Sequence, residues 1–217
     1  MINVFHIGAR GDPVSEWKDY DTTIYGFDPN EQECNRLSKK HPEHFFYPIA
    51  LGARNETRLF YVTEQPECSS LLNPNIANWV PFERDDRAEI KKVIEIETET
   101  LDSVCKKIRA YPTFIKIDTQ GTELEILKSY SNLYNVAGIE TEVFFYDLYE
   151  NQSLFYEVYS FLADLGFSLY GLKRCRWNGR LIFGDALFLK EGTYFHALCH
   201  KYKINTKSNP IWDGQYA

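Results

Sequence analysis

The sequence predicts an α/β domain: a mostly parallel sheet with one antiparallel strand near its edge and helices on both faces. Three observations carry this expectation. Apolar runs of strand length alternate with segments of helical periodicity along most of the chain. The first run ends in the turn Gly8-Ala9-Arg10-Gly11 and the second in the carboxylate Asp28, so a parallel sheet has its ligand-facing loops where such sheets usually carry them. Near the end, Asn178-Gly179 separates two alternating runs, which marks a hairpin and hence one strand running against the rest.

Each element has its own warrant. Ile2 to Ile7 is short, apolar and stopped by Gly8, as a buried strand should be. Residues 23–27 form the second strand. Asp28-Pro29-Asn30-Glu31 then opens a helix, with Asp28 as the capping carboxylate and Pro29 at the first helical position. Cys34 and Leu37 face inward, and the helix stops before Pro42. Residues 45–51 read as one strand closed by Gly52, and residues 58–63 and 93–98 as a ribbon. The segment between those two, 64–92, is an insertion or lid with several prolines and a charged run from Glu83 to Lys92. Leu101, Val104, Cys105 and Ile108 recur at helical spacing. Residues 113–117 are the fourth strand, and a helix with Leu124 and Leu127 follows, with Thr122 and Glu125 placed as a capping box. Residues 136–145 are the fifth strand. Leu154, Phe155, Val158, Leu162 and Leu165 make an amphipathic helix ended by Gly166. The domain is expected to span 1–192, with 193–217 as a tail packing on it.

Composition narrows the function. A net charge of −7 argues against a protein that lives on nucleic acid phosphates. The five cysteines are scattered, without C-x-x-C spacing, and read as reduced thiols of a cytoplasmic protein. No apolar run approaches the ~20 residues that span a bilayer. A strand begins almost at Met1, leaving no room for a signal peptide or for an acceptor-binding lid ahead of it. His196 and His200 beside Cys199 have a ligand-like spacing, but an ordinary helix face explains them as well, and no metal site is expected.

The turn from Gly8 to Gly11 lacks the three-glycine dinucleotide pattern, which disfavours a pyrophosphate and with it a nicotinamide-dependent oxidoreductase. A ligand with a ribose and no phosphate fits better, its hydroxyls held by Asp28. Lys116-Ile117-Asp118-Thr119-Gln120-Gly121-Thr122-Glu123 sets a polar cluster at the end of an apolar strand. Lys116 and Asp118 share a strand face and would pair if they served structure alone, as would Arg10 and Asp12. The ends at Gly8, Asp28, Asp118 and Glu142 should open onto one crevice.

Several segments together resemble the FkbM family of S-adenosylmethionine-dependent methyltransferases. They are residues 4–12 with Trp17, Tyr25-Gly26-Phe27-Asp28-Pro29, Ala50-Leu51-Gly52, Leu59 to Thr63 leading to Cys68-Ser69-Ser70-Leu71-Leu72, Thr100-Leu101-Asp102, Phe114 to Asp118 with Gly121 and Glu123, and Gly184-Asp185-Ala186-Leu187-Phe188. Order and spacing agree over roughly residues 2–190. The resemblance implies a Rossmann-like class I methyltransferase sheet, S-adenosyl-L-methionine as cofactor, and O-methylation of a small-molecule hydroxyl, with a sugar or glycan precursor as the acceptor class. It further implies that Gly8, Ala9, Arg10 and Gly11 shape the cofactor turn, that Asp28 and Pro29 hold the ribose end, and that Ala50, Leu51 and Gly52 lie near the adenine. Asp118 and Glu123 belong to its acidic motif. One departure stands out: His6 occupies the place of an aspartate that helps position the methionine end.

Methyl transfer to an unactivated hydroxyl needs a base. Asp118 is the first candidate, followed by Glu142, Glu123 and His6. Mg²⁺ would serve instead if two carboxylates converged on the hydroxyl, although no motif specifies it. Two other readings stay open: a methyltransferase-like binding or assembly module without turnover, and, less favoured, the oxidoreductase. Acceptor specificity is assigned to residues 64–92, to the loop 146–153 and to the tail.

Overall fold

In the computed structural model, which describes residues 1–82, 85–177 and 179–204, the chain lays down β1 (Ile2–Ile7), β2 (Thr22–Phe27), α1 (Glu31–Lys40), β3 (Phe45–Tyr47), β4 (Ala50–Leu51) and β5 (Glu56–Thr63). There follow α2 (Ile76–Trp79), α3 (Asp85–Ala88), β6 (Ile90–Glu99), α4 (Leu101–Ile108), β7 (Phe114–Ile117) and α5 (Glu123–Lys128). The last elements are β8 (Gly138–Phe144), α6 (Phe155–Asp164), β9 (Ser168–Trp177), β10 (Arg180–Leu189) and α7 (Phe195–Lys201).

Seven strands form the main sheet in the order β3-β2-β1-β7-β8-β10-β9. Every neighbouring pair is parallel except those made by β10, which runs against both β8 and β9. The expected single antiparallel strand therefore sits second from the edge. Strand order reverses between β1 and β7, and a crevice opens beyond the carboxyl ends of strands at such a point.

Alternation along the strands builds the two faces. Phe5, Ile7, Ile115 and Ile117 pack on one side with Leu101, Val104 and Cys105 of α4, Leu124 and Leu127 of α5, and Val158 and Leu162 of α6. Val4, Ile24 and Phe114 pack on the other with Cys34 and Leu37 of α1, Leu198 and Cys199 of α7, and the buried Trp17. Helices cover both faces, as the alternating pattern requires. A third cluster joins Cys68, Trp79, Phe82 and Ala88 of the 64–92 segment to Phe144, Leu148, Tyr149 and Ile182.

Three local expectations are corrected. Residues 45–51 are two strands, because Pro48 cannot donate to a ladder. The Ile49 amide donates to the Tyr47 carbonyl, and β4 leaves the main sheet to pair with β6. Together β4, β6 and β5 make a separate three-stranded sheet, of which β5 and β6 are the expected ribbon. The cap of α1 is Asn30, whose side chain accepts the Glu33 amide, rather than Asp28. No capping box closes α5: the Thr122 side chain makes no cap bond, and Glu123 takes up the preceding loop instead. α4 gains a cap the periodicity does not reveal, the Thr100 hydroxyl accepting the Ser103 amide. Of the hairpin dipeptide, Gly179 has the left-handed φ of 77° that such a turn needs, while Asn178 lies outside the described residues. So do Glu83 and Arg84 of the charged run and residues 205–217 of the tail.

Candidate active site

The ends of β1, β2 and β7 are tied together by their own backbone. The amides of Gly8 and Ala9 both donate to the Phe27 carbonyl, at 2.9 and 3.1 Å, and the Asp118 amide donates to the Ile7 carbonyl at 3.0 Å. Gly8 has φ 79°, and a Cβ placed on it would meet the Asp118 carbonyl oxygen at 1.9 Å. Only glycine lets these two loops approach so closely.

A cleft of about 690 Å³ opens beyond them. His6, Gly8, Arg10, Gly11, Asp28, Pro29, Ala50, Leu51 and Asp118 all line it. Ala9 and Gly52 are not in its wall. Ala9 is buried under the glycine turn, and Gly52 packs on Thr98 while its amide donates to the Glu99 carbonyl. The β5–β6 ribbon covers the cleft with Phe60, Val62, Ile94 and Ile96, a wall the strand pattern alone did not place.

Asp28 is nearly buried, and its Oδ1 accepts the Asn30 amide at 2.8 Å. Burial raises its carboxyl pKa, and the Asn30 amide and the charge of Arg10 act against that rise. The Asp28 carboxyl group lines the cleft. Arg10 pairs with Glu67 of the insertion at 3.6 Å instead of with Asp12, which is held by Lys40 and His41. Such a half-exposed pair adds little stability, but it links the glycine turn to the insertion.

His6, Lys116 and Glu140 occupy matching positions on β1, β7 and β8. Lys116 does not pair with Asp118; it bridges Glu16 at 2.7 Å and Glu140 at 3.2 Å. Burial and the neighbouring Lys116 charge push His6 down to about 3, so its ring is neutral at physiological pH. Its buried Nδ1 has no hydrogen-bond partner among the described residues.

Three carboxylates meet behind the cleft. Asp118, Glu123 and Glu142 each present an oxygen within 4.8 Å of the others. Asp118 is open to the cleft, whereas Glu123 and Glu142 are buried. Gln120, at φ 58°, straps two of them: its Nε2 donates to Asp118 Oδ1 at 2.8 Å and to Glu142 Oε2 at 2.7 Å. Its Oε1 in turn accepts the Tyr149 hydroxyl at 2.9 Å. Burial and the adjacent Asp118 and Glu123 drive the Glu142 carboxyl well above the usual range, so it keeps its proton. The protein packed around the Asp118 carboxyl at the cleft floor raises it by displacing water, while Gln120 opposes the rise. Like charges this close cannot all ionise, and the directions of the shifts favour the proton on Glu142 and the charge on Asp118.

Glu123 has a different task. Its Oε1 accepts the Thr119 amide at 2.7 Å, and both its oxygens take the Gly121 amide. It shapes the loop that presents Asp118 and stays out of the cleft wall. Burial raises it to about 7, against the pull of those amides. A carboxyl raised in the fold favours folding while protonated; that contribution is complete below its unfolded value and lost as pH rises through about 7. Glu123→Gln keeps an acceptor and cannot ionise. From pH 4.5 to 8 its stability should therefore gain on the wild type by up to about 3 kcal/mol, read by urea melts across that range. Parallel curves for the two proteins would show that Glu123 does not titrate there.

The family model described as the methyltransferase FkbM domain matches residues 7–169. No curated protein matches. Among solved structures, the magnesium protoporphyrin IX methyltransferase of Synechocystis with bound SAM is similar at a TM-score of 0.46 and 11% identity, covering 88% of this chain and 70% of that one. A TehB-like SAM-dependent methyltransferase from Corynebacterium glutamicum follows at 0.39 and 7%, covering 88% and 80%.

Proposed function

The chain belongs to the FkbM family of methyltransferases, and on that premise we propose that it transfers the methyl group of S-adenosylmethionine to the oxygen of a small-molecule hydroxyl. The observation that carries this reading is the contact of Gly8 with the Asp118 carbonyl, which fuses the nucleoside-type turn and the acidic cluster into one cleft. The donor, when bound, supplies an electrophilic methyl on a sulfonium. The Asp28 carboxylate would hold the ribose hydroxyls, and Ala50 and Leu51 would offer an apolar wall to the adenine. His6, neutral and with an unpartnered ring nitrogen, replaces an anionic contact at the methionine end.

Asp118 accepts the proton of the attacking hydroxyl, and Gln120 fixes the carboxylate that does so. Holding the hydroxyl oxygen in line with the methyl supplies much of the remaining rate. Glu142 and Glu123 are positioning groups in this scheme, one held protonated behind Asp118 and one bracing its loop. The scheme calls on no Mg²⁺: Asp118 takes the proton, and the oxygens of Glu123 serve the loop amides. The resemblance by itself suggests a sugar or glycan precursor as the acceptor, a class that no residue of the cleft specifies and that the walls of the adjoining chamber, described below, replace with a different one.

Calorimetry with S-adenosylhomocysteine tests the site. Asp28→Ala should weaken binding by about 1–3 kcal/mol, the usual worth of a charge-assisted hydrogen-bonded contact. Unchanged affinity in a folded variant would remove Asp28 from the site. No binding by the wild type would remove the cofactor itself. Tight binding without turnover on any hydroxyl would favour the assembly module.

A further inference from the structure

A second cavity, of about 140 Å³, adjoins the cleft. Gln120 and Glu67 line both spaces, so the two meet at the strap that holds Asp118. Beyond that junction the wall is aromatic, with Trp79 and Phe82 from the insertion and Phe144 and Phe183 from β8 and β10. Glu142 supplies a buried carboxyl at one side. Glu67 and Arg87 add one charge of each sign.

Resting on the reading above, the geometry points to this chamber as the acceptor subsite, and to an acceptor whose body is a single apolar ring carrying one hydroxyl: a phenol or an alicyclic alcohol. Size and chemistry agree on this. An apolar cavity of about 150 Å³ holds one benzene-sized ring. A hexose of similar size carries a hydroxyl on almost every carbon, and those facing Trp79, Phe82, Phe144 and Phe183 would find no partner there. An apolar ring leaves one polar group to satisfy, and it emerges at Gln120 and Asp118, where the proton must go. The insertion then acts as the specificity element, since it contributes one side of the chamber.

The test separates this inference from the reading beneath it. Protein loaded with S-adenosylhomocysteine, whose binding is measured first by calorimetry, is titrated with phenol, cyclohexanol and methyl glucopyranoside by ligand-observed NMR. The ring alcohols should bind and the glucoside should not. Cys175→Phe puts a ring into the chamber from β9. It should weaken ring-alcohol binding by about ten- to a hundredfold while S-adenosylhomocysteine binds as before, which also reports that the variant is folded. Glucoside binding without phenol binding, binding of neither, or ring-alcohol binding undisturbed in a Cys175→Phe variant that still takes S-adenosylhomocysteine, would each overturn the inference. Failure of S-adenosylhomocysteine to bind the wild type would instead strike the donor site. Should the variant fail to fold, the comparison of phenol with glucoside on the wild type decides alone.

Discussion

Gly8→Ala is expected to lower the stability of the fold by about 3–5 kcal/mol and to abolish donor binding together with it. Two costs add. A side chain at φ 79° sits in the left-handed region, which strains any residue but glycine. The new Cβ would also lie 1.9 Å from the backbone oxygen of Asp118, where no flexible side chain can yield. The loops after β1 and β7 must then move apart, an overpacking cost of about 1–3 kcal/mol. Thermal melting should fall by about 10 °C for a chain of this size. The same change at Gly11 is the control: its φ is 88°, but a Cβ there meets nothing within 4 Å. Gly11→Ala should show the smaller loss, from strain alone. Equal losses at the two positions would mean that the Gly8–Asp118 contact is not what holds the turn.

Asp118→Asn is expected to cut turnover by about 10²–10⁴-fold and to leave S-adenosylhomocysteine affinity within about twofold. Asparagine keeps an oxygen for the Gln120 amide to reach, so the loop geometry survives. It cannot take a proton from the acceptor. It also removes a negative charge beside Glu142, so the variant should be no less stable than the wild type. Rapid-quench measurement of a single turnover, beside a binding isotherm, separates the two effects. Retained turnover would hand the proton to another group, and a parallel loss of donor affinity would make Asp118 a binding residue.

Much of the sheet was legible from the chain because several strands are bounded by a residue with a fixed backbone role. Gly8 and Gly166 both adopt positive φ, and Gly179 does so in the hairpin. The run Ile2 to Ile7 was legible as a buried strand, but its facing was not: the structure puts Phe5 and Ile7 on one side and Val4 on the other, and a run apolar nearly throughout does not say which. The boundary near Pro48 was misread because the apolar run continues across it, although the missing amide was the available sign. Between Asp28 and Asn30 no local rule decides the cap: both residue types suit it, and the outcome depends on Asp28 turning toward the cleft.

The site was legible in its strand ends and not in its cross-links. Asp28 and Asp118 follow apolar runs, so their exposure at one edge is a property of the topology. Gln120 was quoted only as part of a polar string. Its place as the strap between Asp118 and Glu142 needs a left-handed backbone and the Tyr149 hydroxyl from a distant loop, neither of which has a sequence signal. Arg10 was matched with Asp12 because that carboxylate is near in sequence, whereas Glu67 reaches it across the cleft from the insertion. Lys116 likewise found Glu140 through the β7–β8 register. Glu123 looked like a candidate base from its motif, and only the two loop amides it receives reveal a bracing role.

A crystal structure of the chain grown with S-adenosylhomocysteine addresses the central claim most directly. The account places both ribose hydroxyls on the Asp28 carboxylate, the adenine against Ala50 and Leu51, and the sulfur above the Gly8 turn facing Asp118. A ligand bound elsewhere, or seated in the cleft with its ribose turned away from Asp28, would contradict it.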